Sequence, residues 1–185
     1  HWPATAKEQK LMVFQNDSAT SQSVTIILNM QSRAMEHGGT AIDADKMETA
    51  IRLCAGVFDS ALAVGMPLRF AANCCTTDAR DTIFTGEYWG RDYIESLFQL
   101  LARLKLRSTE EFFAFLGDCY HNITSTDLIL VTGFVDERIL EVVRRKQADG
   151  VRVRTMLLGE IPSELDAAGC EIIELSPAQL EGGAA

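Results

Sequence analysis

Two short apolar runs constrain the fold of this chain more than any other feature. Residues Val24–Leu28 read VTIIL, and residues Asp127–Thr132 read DLILVT. Both runs are rich in β-branched residues and lack the strict alternation of a strand with one wet face. Such runs are typical of parallel strands that are covered on both sides. The sequence therefore predicts a sheet with helices packed against each face.

Amphipathic runs and turn signals separate these strands. In the first helical run, Asp45 and Glu48 form a capping-box pattern, and Gly65 and Pro67 end the run. The other predicted elements are strands Leu11–Phe14, Leu68–Cys74 and Thr82–Tyr88, helices opened by Asp92 and Ser108, strand Asp127–Thr132, helix Asp136–Ala148, strand Val151–Leu158, short helix Ser163–Ala168 and strand Glu171–Leu175.

This alternation predicts an α/β fold of the Rossmann-like kind. We expect a doubly wound, mostly parallel central sheet with helices on both faces and an N-terminal edge strand. The 185 residues fit a single domain, which we place at 1–176, followed by a flexible tail at 177–185. Ligands of such sheets bind where the strands end, so the loops Asn29–Thr40 and Thr132–Asp136 are the places to inspect.

Composition excludes several classes of function. The net charge of −9 argues against a general nucleic-acid binder, because phosphate contacts require a basic surface. No apolar run is long enough to span a bilayer, so we expect no direct membrane insertion by this chain. The chain begins at His1 without a methionine, and we expect it to be a piece of a longer protein. Its five cysteines include no C-x-x-C pair, which predicts neither a disulfide framework nor a zinc ribbon.

The first segment carries a family resemblance. HWPATAKEQKLMVF, within residues 1–17, resembles the signature segment of a bacterial family known as domain of unknown function 58. The helix containing Glu48-Thr-Ala50 and the strand Leu-Ile-Leu-Val-Thr ending at Thr132 resemble the von Willebrand factor A-like half of that family. The resemblance implies a soluble domain on the cytoplasmic face of the membrane, in a membrane-anchored parent protein. It also implies a protein partner, a MoxR-type AAA+ ATPase.

The resemblance raises the question of whether this chain has a metal site. In metal-binding A-type domains the first core strand ends in D-x-S-x-S, whose oxygens hold a divalent cation. Here those positions fall on Asn29, Gln31 and Arg33, and the later ligand position falls near Thr132. Uncharged amides attract a cation weakly, and Arg33 adds a positive charge. The sequence therefore predicts a degenerate site without metal.

No catalytic set is recognisable. Gly38-Gly39-Thr40 lacks the spacing of a phosphate-binding loop, and His37 and His121 have no nucleophile placed by a local motif. We therefore expect a non-enzymatic interaction domain without a cofactor. Two alternatives remain open: a metal-dependent ligand-binding or adhesion module with an unusual site, and a small Rossmann-type enzyme.

Two pairs of residues are candidates for an interaction surface. Tyr88 and Trp89 are adjacent aromatics ahead of a predicted helix, and such residues are favoured anchors at protein interfaces. Arg144 and Arg145 lie in the last turns of another predicted helix, where they could meet an acidic partner. Core packing for the aromatics and a solvated helix end for the arginines are the competing interpretations.

Overall fold

The computed structural model of the protein describes residues 22–34 and 43–175. Within these ranges the chain forms eight strands and four helices. The strands are β1 (Val24–Leu28), β2 (Leu68–Ala72), β3 (Cys74–Thr76), β4 (Ile83–Phe84), β5 (Leu104–Ser108), β6 (Asp127–Thr132), β7 (Arg152–Leu157) and β8 (Glu171–Glu174). The helices are α1 (Ala44–Ala63), α2 (Arg91–Leu101), α3 (Phe112–Tyr120) and α4 (Glu137–Ala148). The predicted strand Leu11–Phe14, the signature segment 1–17 and the tail 177–185 lie outside the described residues.

The main sheet has six strands in the order β4-β2-β1-β6-β7-β8. Strand β1 is parallel to both of its neighbours, β2 and β6, and β7 and β8 continue the parallel set. Only β4, at one edge of this sheet, is antiparallel. From β1 the chain first builds outward through β2 and β4, and it then returns to add β6, β7 and β8 on the other side. The predicted mixed α/β fold with a mostly parallel sheet is confirmed.

Helices cover both faces of the sheet. Side chains of a strand alternate between its two faces. Ile26 of β1 packs with Phe58 of α1 and Leu97 of α2, whereas its neighbour Ile27 packs with Phe115 of α3 and Val143 of α4. Strand β1 is buried along its whole length, as its composition predicts. No helix in the described part of the chain has the length and apolar character needed to cross a membrane.

Three predicted helix starts were wrong by two or three residues. Helix α1 is capped by Asp43, whose carboxylate accepts the N–H of Lys46, and not by Asp45. Helix α2 follows Gly90, which offers no side-chain cap, and α3 is capped by Glu111 instead of Ser108. In the sequence DADK two aspartates compete for the same role. Asp43 is the cap because its carboxylate reaches the N–H of Lys46, the third residue of the helix.

The region between α1 and α3 differs most from the prediction. Strand β2 ends at Ala72, and Cys74 starts a separate two-stranded sheet in which β3 pairs with β5. Strand β5 was missed because its sequence directly follows a helical pattern. The predicted strand Thr82–Tyr88 shortens to β4 plus a single bridge between Leu68 and Tyr88. Residues Ser163–Ala168 form turns instead of the predicted helix.

Candidate functional site

The predicted metal-site residues lie at the carboxyl edge, which we define as the edge of the main sheet where β1, β2 and β6 end. Asn29 directly follows β1 and is fully buried. Its amide nitrogen donates to Thr132 Oγ1 at 3.0 Å, and its amide oxygen accepts the N–H of Gln31 at 2.9 Å. The structure therefore brings Asn29 and Thr132 together, as the sequence predicts. The two groups in contact are the uncharged amide of Asn29 and the hydroxyl of Thr132, and neither carries a negative charge.

Asn73 is a third member of this edge, and sequence reasoning missed it. Its amide oxygen accepts the N–H of Met30 at 2.7 Å, and its amide nitrogen lies 3.4 Å from Asn29 Oδ1. The same nitrogen donates to the carbonyl of Glu110 at 3.2 Å. The available signal was a single polar residue directly after the buried strand LRFAA. Asn73 thereby connects the ends of β1 and β2 with the approach to α3.

Gln31, at the second predicted ligand position, accepts a hydrogen bond from the first turn of helix α3. Its amide oxygen accepts the N–H of Phe112 at 2.7 Å, and this N–H belongs to the first turn of the helix. An N–H at a helix start has no partner within the helix, so Gln31 supplies one. Its oxygen is therefore committed to the backbone. Arg33, the third predicted position, is exposed to solvent.

A lysine provides a positive charge at the same edge. Lys46, in the first turn of α1, donates from Nζ to the carbonyl of Gly133 at 3.2 Å. Gly133 directly follows β6, and a Cβ on it would lie 3.0 Å from the carbonyl oxygen of Ser32 and 3.1 Å from Lys46 Cδ. The loops after β1 and β6 therefore touch closely, and the Lys46 side chain lies against the loop after β6.

The donors at this edge do not suit a hard divalent cation. Magnesium and calcium bind carboxylates and waters, and much of the affinity comes from anionic charge. Asn29, Gln31, Asn73 and Thr132 contribute none, and Lys46 adds a positive charge. Across residues 22–34 and 43–175, no cluster of three or more His, Cys, Asp or Glu side chains could hold a metal ion. The hydrogen bonds at this edge hold the loops after β1, β2 and β6 together.

Exposed aromatic side chains form a second feature, which we call the aromatic patch: Phe84, Tyr88 and Trp89. Their exposed fractions are 40%, 58% and 68%. The Tyr88 ring packs edge-on against Tyr93 at 5.4 Å between centroids, and the Arg69 guanidinium lies 5.2 Å from the centre of the Phe84 ring. Phe84 pairs with Ala71 and Tyr88 with Leu68, so the two aromatic rings flank the β4 edge of the sheet from opposite faces. Exposed apolar side chains concentrated at one sheet edge are a candidate interaction site.

The two predicted pairs of interface residues are not part of one surface. The aromatic patch lies beside β4, at one edge of the sheet. Arg144 and Arg145 belong to α4, which packs toward β7 on the other half of the sheet. Arg144 donates to Glu137 at 2.8 Å, and the Arg145 guanidinium lies 4.9 Å from the centre of the Tyr120 ring. Both arginines therefore already have partners within the domain.

The cysteines act as small apolar side chains. Cys54 and Cys74 are fully buried. Burial raises the pKa of both thiols, with a smaller contribution from a neighbouring thiol, and the pKa of Cys74 reaches about 12. Both thiols are thus protonated at neutral pH, whereas reactive thiols have lowered pKa values. His121 is exposed at the end of α3, and His37 and Gly38–Thr40 lie outside the described residues.

Comparison with known proteins yields a fold likeness. No family model matches the sequence, and no curated protein matches it either. Among solved structures, the fold is similar to that of proximal thread matrix protein 1 from the mussel byssus, with a TM-score of 0.50 at 11% sequence identity. The similarity covers 86% of this chain and 44% of the mussel protein, so the chain spans less than half of that neighbour's length. At this identity the likeness concerns the fold alone, a mixed α/β domain.

Proposed function

We propose that this domain is a non-enzymatic protein-interaction module of the von Willebrand factor A type that binds its partner without a bridging metal ion. The observation that carries the proposal is the hydrogen bond between Asn29 and Thr132, with the Lys46 ammonium group beside it. A neutral network occupies the positions where metal-binding A-type domains place anionic oxygens.

The strand order supports the assignment to a doubly wound fold. Counted among its own strands, the main sheet runs 3-2-1-4-5-6, which is the order of classical doubly wound sheets. Such sheets bind ligands at the edge where the central strands end and the winding direction changes. In this chain that position lies between β1 and β6, where Asn29 and Thr132 meet.

The proposed partner is a MoxR-type AAA+ ATPase, and the proposed parent is anchored in a membrane with this domain on the cytoplasmic face. The reason is the resemblance of residues 1–14 to the family signature described above. The proposed contact surface is the aromatic patch, because Trp and Tyr, together with Arg, are enriched among the residues that dominate binding energy at interfaces. Arg144 and Arg145 have internal partners, so we assign them a smaller role.

Pull-down experiments with a MoxR-type ATPase encoded beside the gene would test this proposal. The full chain should retain the ATPase in at least one of three states: with ATP, with ADP or without nucleotide. Trp89→Ala should weaken binding by at least tenfold, since exposed Trp89 is the largest residue of the patch. Leu106→Ala is the matched control, because Leu106 is 39% exposed on β5, which belongs to the separate two-stranded sheet. Failure to bind in every nucleotide state would refute the choice of partner.

Metal titration separates this proposal from the metal-dependent module. A ligand that binds only the folded state raises the melting temperature by mass action. We expect no change in melting temperature on adding millimolar Mg²⁺ or Mn²⁺ to the full chain. A concentration-dependent rise that Asn29→Ala abolishes would favour the metal-dependent alternative.

A further inference from the structure

A groove runs along one face of the main sheet, between α1 and strands β6 and β7. Two adjoining cavities of about 300 and about 340 Å³ form this α1 groove, and both are lined by Val57 and Ser60. Leu53 and Val57 supply the helix wall, while Ile129 of β6 and Met156 of β7 supply the floor. The walls and floor are therefore mainly apolar.

The described helices leave this part of the sheet uncovered. Met156 pairs in register with Ile173 of the parallel strand β8, so both side chains lie on the same face. Met156 is half-buried, and Ile173 is 40% exposed. Helix α4 belongs to the core on the other face, where Val143 packs with Leu130. An apolar floor beside exposed apolar side chains indicates a surface that another segment covers.

We propose that the apolar run Leu11–Phe14 of this same chain occupies the α1 groove. The chain enters β1 at the end of the groove, where Val24 is one of the lining residues. The run reads LMVF, four consecutive apolar side chains that need a place away from water. A covalent connection to β1 gives the run a high effective concentration at the groove.

The connecting segment is long enough for this placement. From Phe14 to Gln22 the chain can span about 26 Å at about 3.3 Å per residue. The groove extends along α1 from Thr49 to Ala61, which is about 18 Å at 1.5 Å per residue. The run can therefore reach every part of the groove without strain in the connection.

Other occupants fit less well. Residues 176–185 read SPAQLEGGAA and offer one large apolar side chain, Leu180. An acidic partner would meet the arginines at the groove's rim, but each already has a carboxylate. Arg152 lies 2.8 Å from Asp127, and Arg154 lies 2.9 Å from Glu171. The rim therefore has little net positive charge to attract such a partner.

Tryptic cleavage after Lys10, next to the run, tests the placement in the full chain. Gly56 lines the groove, and no atom of the described residues lies within 4 Å of a Cβ placed on it, so Gly56→Trp should fill the groove without disturbing the helix backbone. Gly117 of α3 is equally open but lies on the other helix layer, so Gly117→Trp is the matched control. We expect cleavage after Lys10 to be at least tenfold faster in Gly56→Trp than in the wild type and in Gly117→Trp. Equal rates in all three proteins would overturn the proposal.

A cross-linking pair gives a second, independent readout. In the full chain carrying Phe14→Cys and Val57→Cys, a short bifunctional maleimide should join the two positions within one molecule. Phe14→Cys with Ala114→Cys is the control, since Ala114 is exposed on α3 across the sheet. Equal cross-linking in both pairs would contradict the proposal. Cross-links between two molecules would also overturn it, in favour of a second copy as the occupant.

Discussion

The side chains of Asn29 and Thr132 are hydrogen bonded to each other at 3.0 Å, although 103 residues separate them in the sequence. The bond joins the ends of β1 and β6, the two central strands, beneath the loops of the carboxyl edge. Both residues are fully buried. A buried polar pair of this kind stabilises the edge only while every donor and acceptor stays satisfied.

Replacing Asn29 by aspartate tests whether the edge can accept a carboxylate. The ionised side chain cannot donate to Thr132, and Lys46 at the same edge offsets only part of the cost of burying its charge. We expect Asn29→Asp to lower the free energy of unfolding at pH 7 by about 2–3 kcal/mol. Burial would raise the pKa of this carboxyl above its unfolded value, so the loss should shrink as the pH falls from 7 to about 4.

Urea denaturation at several pH values, with and without millimolar Mg²⁺, measures this effect. Asn122→Asp is the control, because Asn122 is exposed and the same substitution there should change stability by less than about 0.5 kcal/mol. We expect Mg²⁺ to leave Asn29→Asp unchanged, since Lys46 lies at the same edge. Recovery of the lost stability by Mg²⁺ would show that a single carboxylate is enough to restore a metal site.

Two buried threonines should respond oppositely to the same substitution. Thr155 in β7 is fully buried, and its hydroxyl has no hydrogen-bond partner among the residues that the structure describes. Valine has nearly the same shape, so Thr155→Val should raise the free energy of unfolding by about 1 kcal/mol. Thr132 is equally buried, but its hydroxyl accepts from Asn29 and donates to the carbonyl of Phe134 at 2.8 Å.

Thr132→Val should therefore lower the free energy of unfolding by about 2 kcal/mol, because it leaves two buried groups without a partner. Chemical denaturation of the two variants and the wild type gives the comparison directly. A loss of stability in Thr155→Val would mean that its hydroxyl has a partner in solution, such as a buried water.

Local sequence signals predicted the parts of this fold that depend on short-range pattern. The two apolar runs were both central strands, and Asp136 caps α4 as its position before the helical pattern suggests. Asn29 and Thr132 could be placed at one edge because parallel strands end on the same side of a sheet. For these features the pattern within a few residues determines the structure.

Features that depend on tertiary contacts could not be predicted in this way. Lys46 belongs to a helix, and nothing near it in the sequence indicates that Nζ reaches Gly133, which is 87 residues away. Strand β5 reads LKLRS, an alternating pattern that was available, but a helical run continues up to it. Its pairing with β3 decides the conformation. The role of Asn73 likewise requires three separate loops to meet.

Alkaline pH should destabilise the protein through its buried thiols. Burial raises the pKa of Cys54 and Cys74 above the ordinary value of 9.0, to about 12 for Cys74. The folded state thus keeps protons that the unfolded state releases. The buried thiols make their full contribution to the free energy of unfolding below pH 9. This contribution is lost as the pH rises through the pKa values that the thiols have in the folded state. Each thiol should cost about 1.4 kcal/mol of unfolding free energy per pH unit above 9.

Denaturant melts between pH 8 and 10.5 measure this slope, and Cys54→Ala should reduce it by the contribution of one thiol. Burial lowers the pKa of Lys146, so this group makes the folded protein more stable as the pH rises. Its effect on the free energy of unfolding ends near the ordinary pKa of lysine. One such group does not cancel three thiols, since burial also raises the pKa of Cys119 to about 12. An unchanged slope in Cys54→Ala would show that this thiol ionises equally in both states.

Two glycines should respond oppositely to alanine, because their surroundings differ. Gly56 lies inside α1, where a Cβ meets nothing within 4 Å, so Gly56→Ala should raise the free energy of unfolding by about 0.5–1 kcal/mol through higher helix propensity. At Gly133 a Cβ would lie 3.0 Å from the carbonyl oxygen of Ser32, which is backbone and cannot rotate away. We expect Gly133→Ala to cost about 1–3 kcal/mol.

The same variant also tests the geometry of the candidate site. In Gly133→Ala the loop after β6 would have to move away from Ser32. This movement would lengthen the distance between the carbonyl oxygen of residue 133 and Lys46 Nζ, which is 3.2 Å in the wild type. Amide hydrogen exchange should therefore become faster in the loops after β1 and β6 of Gly133→Ala and stay unchanged in Gly56→Ala. Equal stability and equal exchange in the two variants would mean that the loops after β1 and β6 are not held in contact.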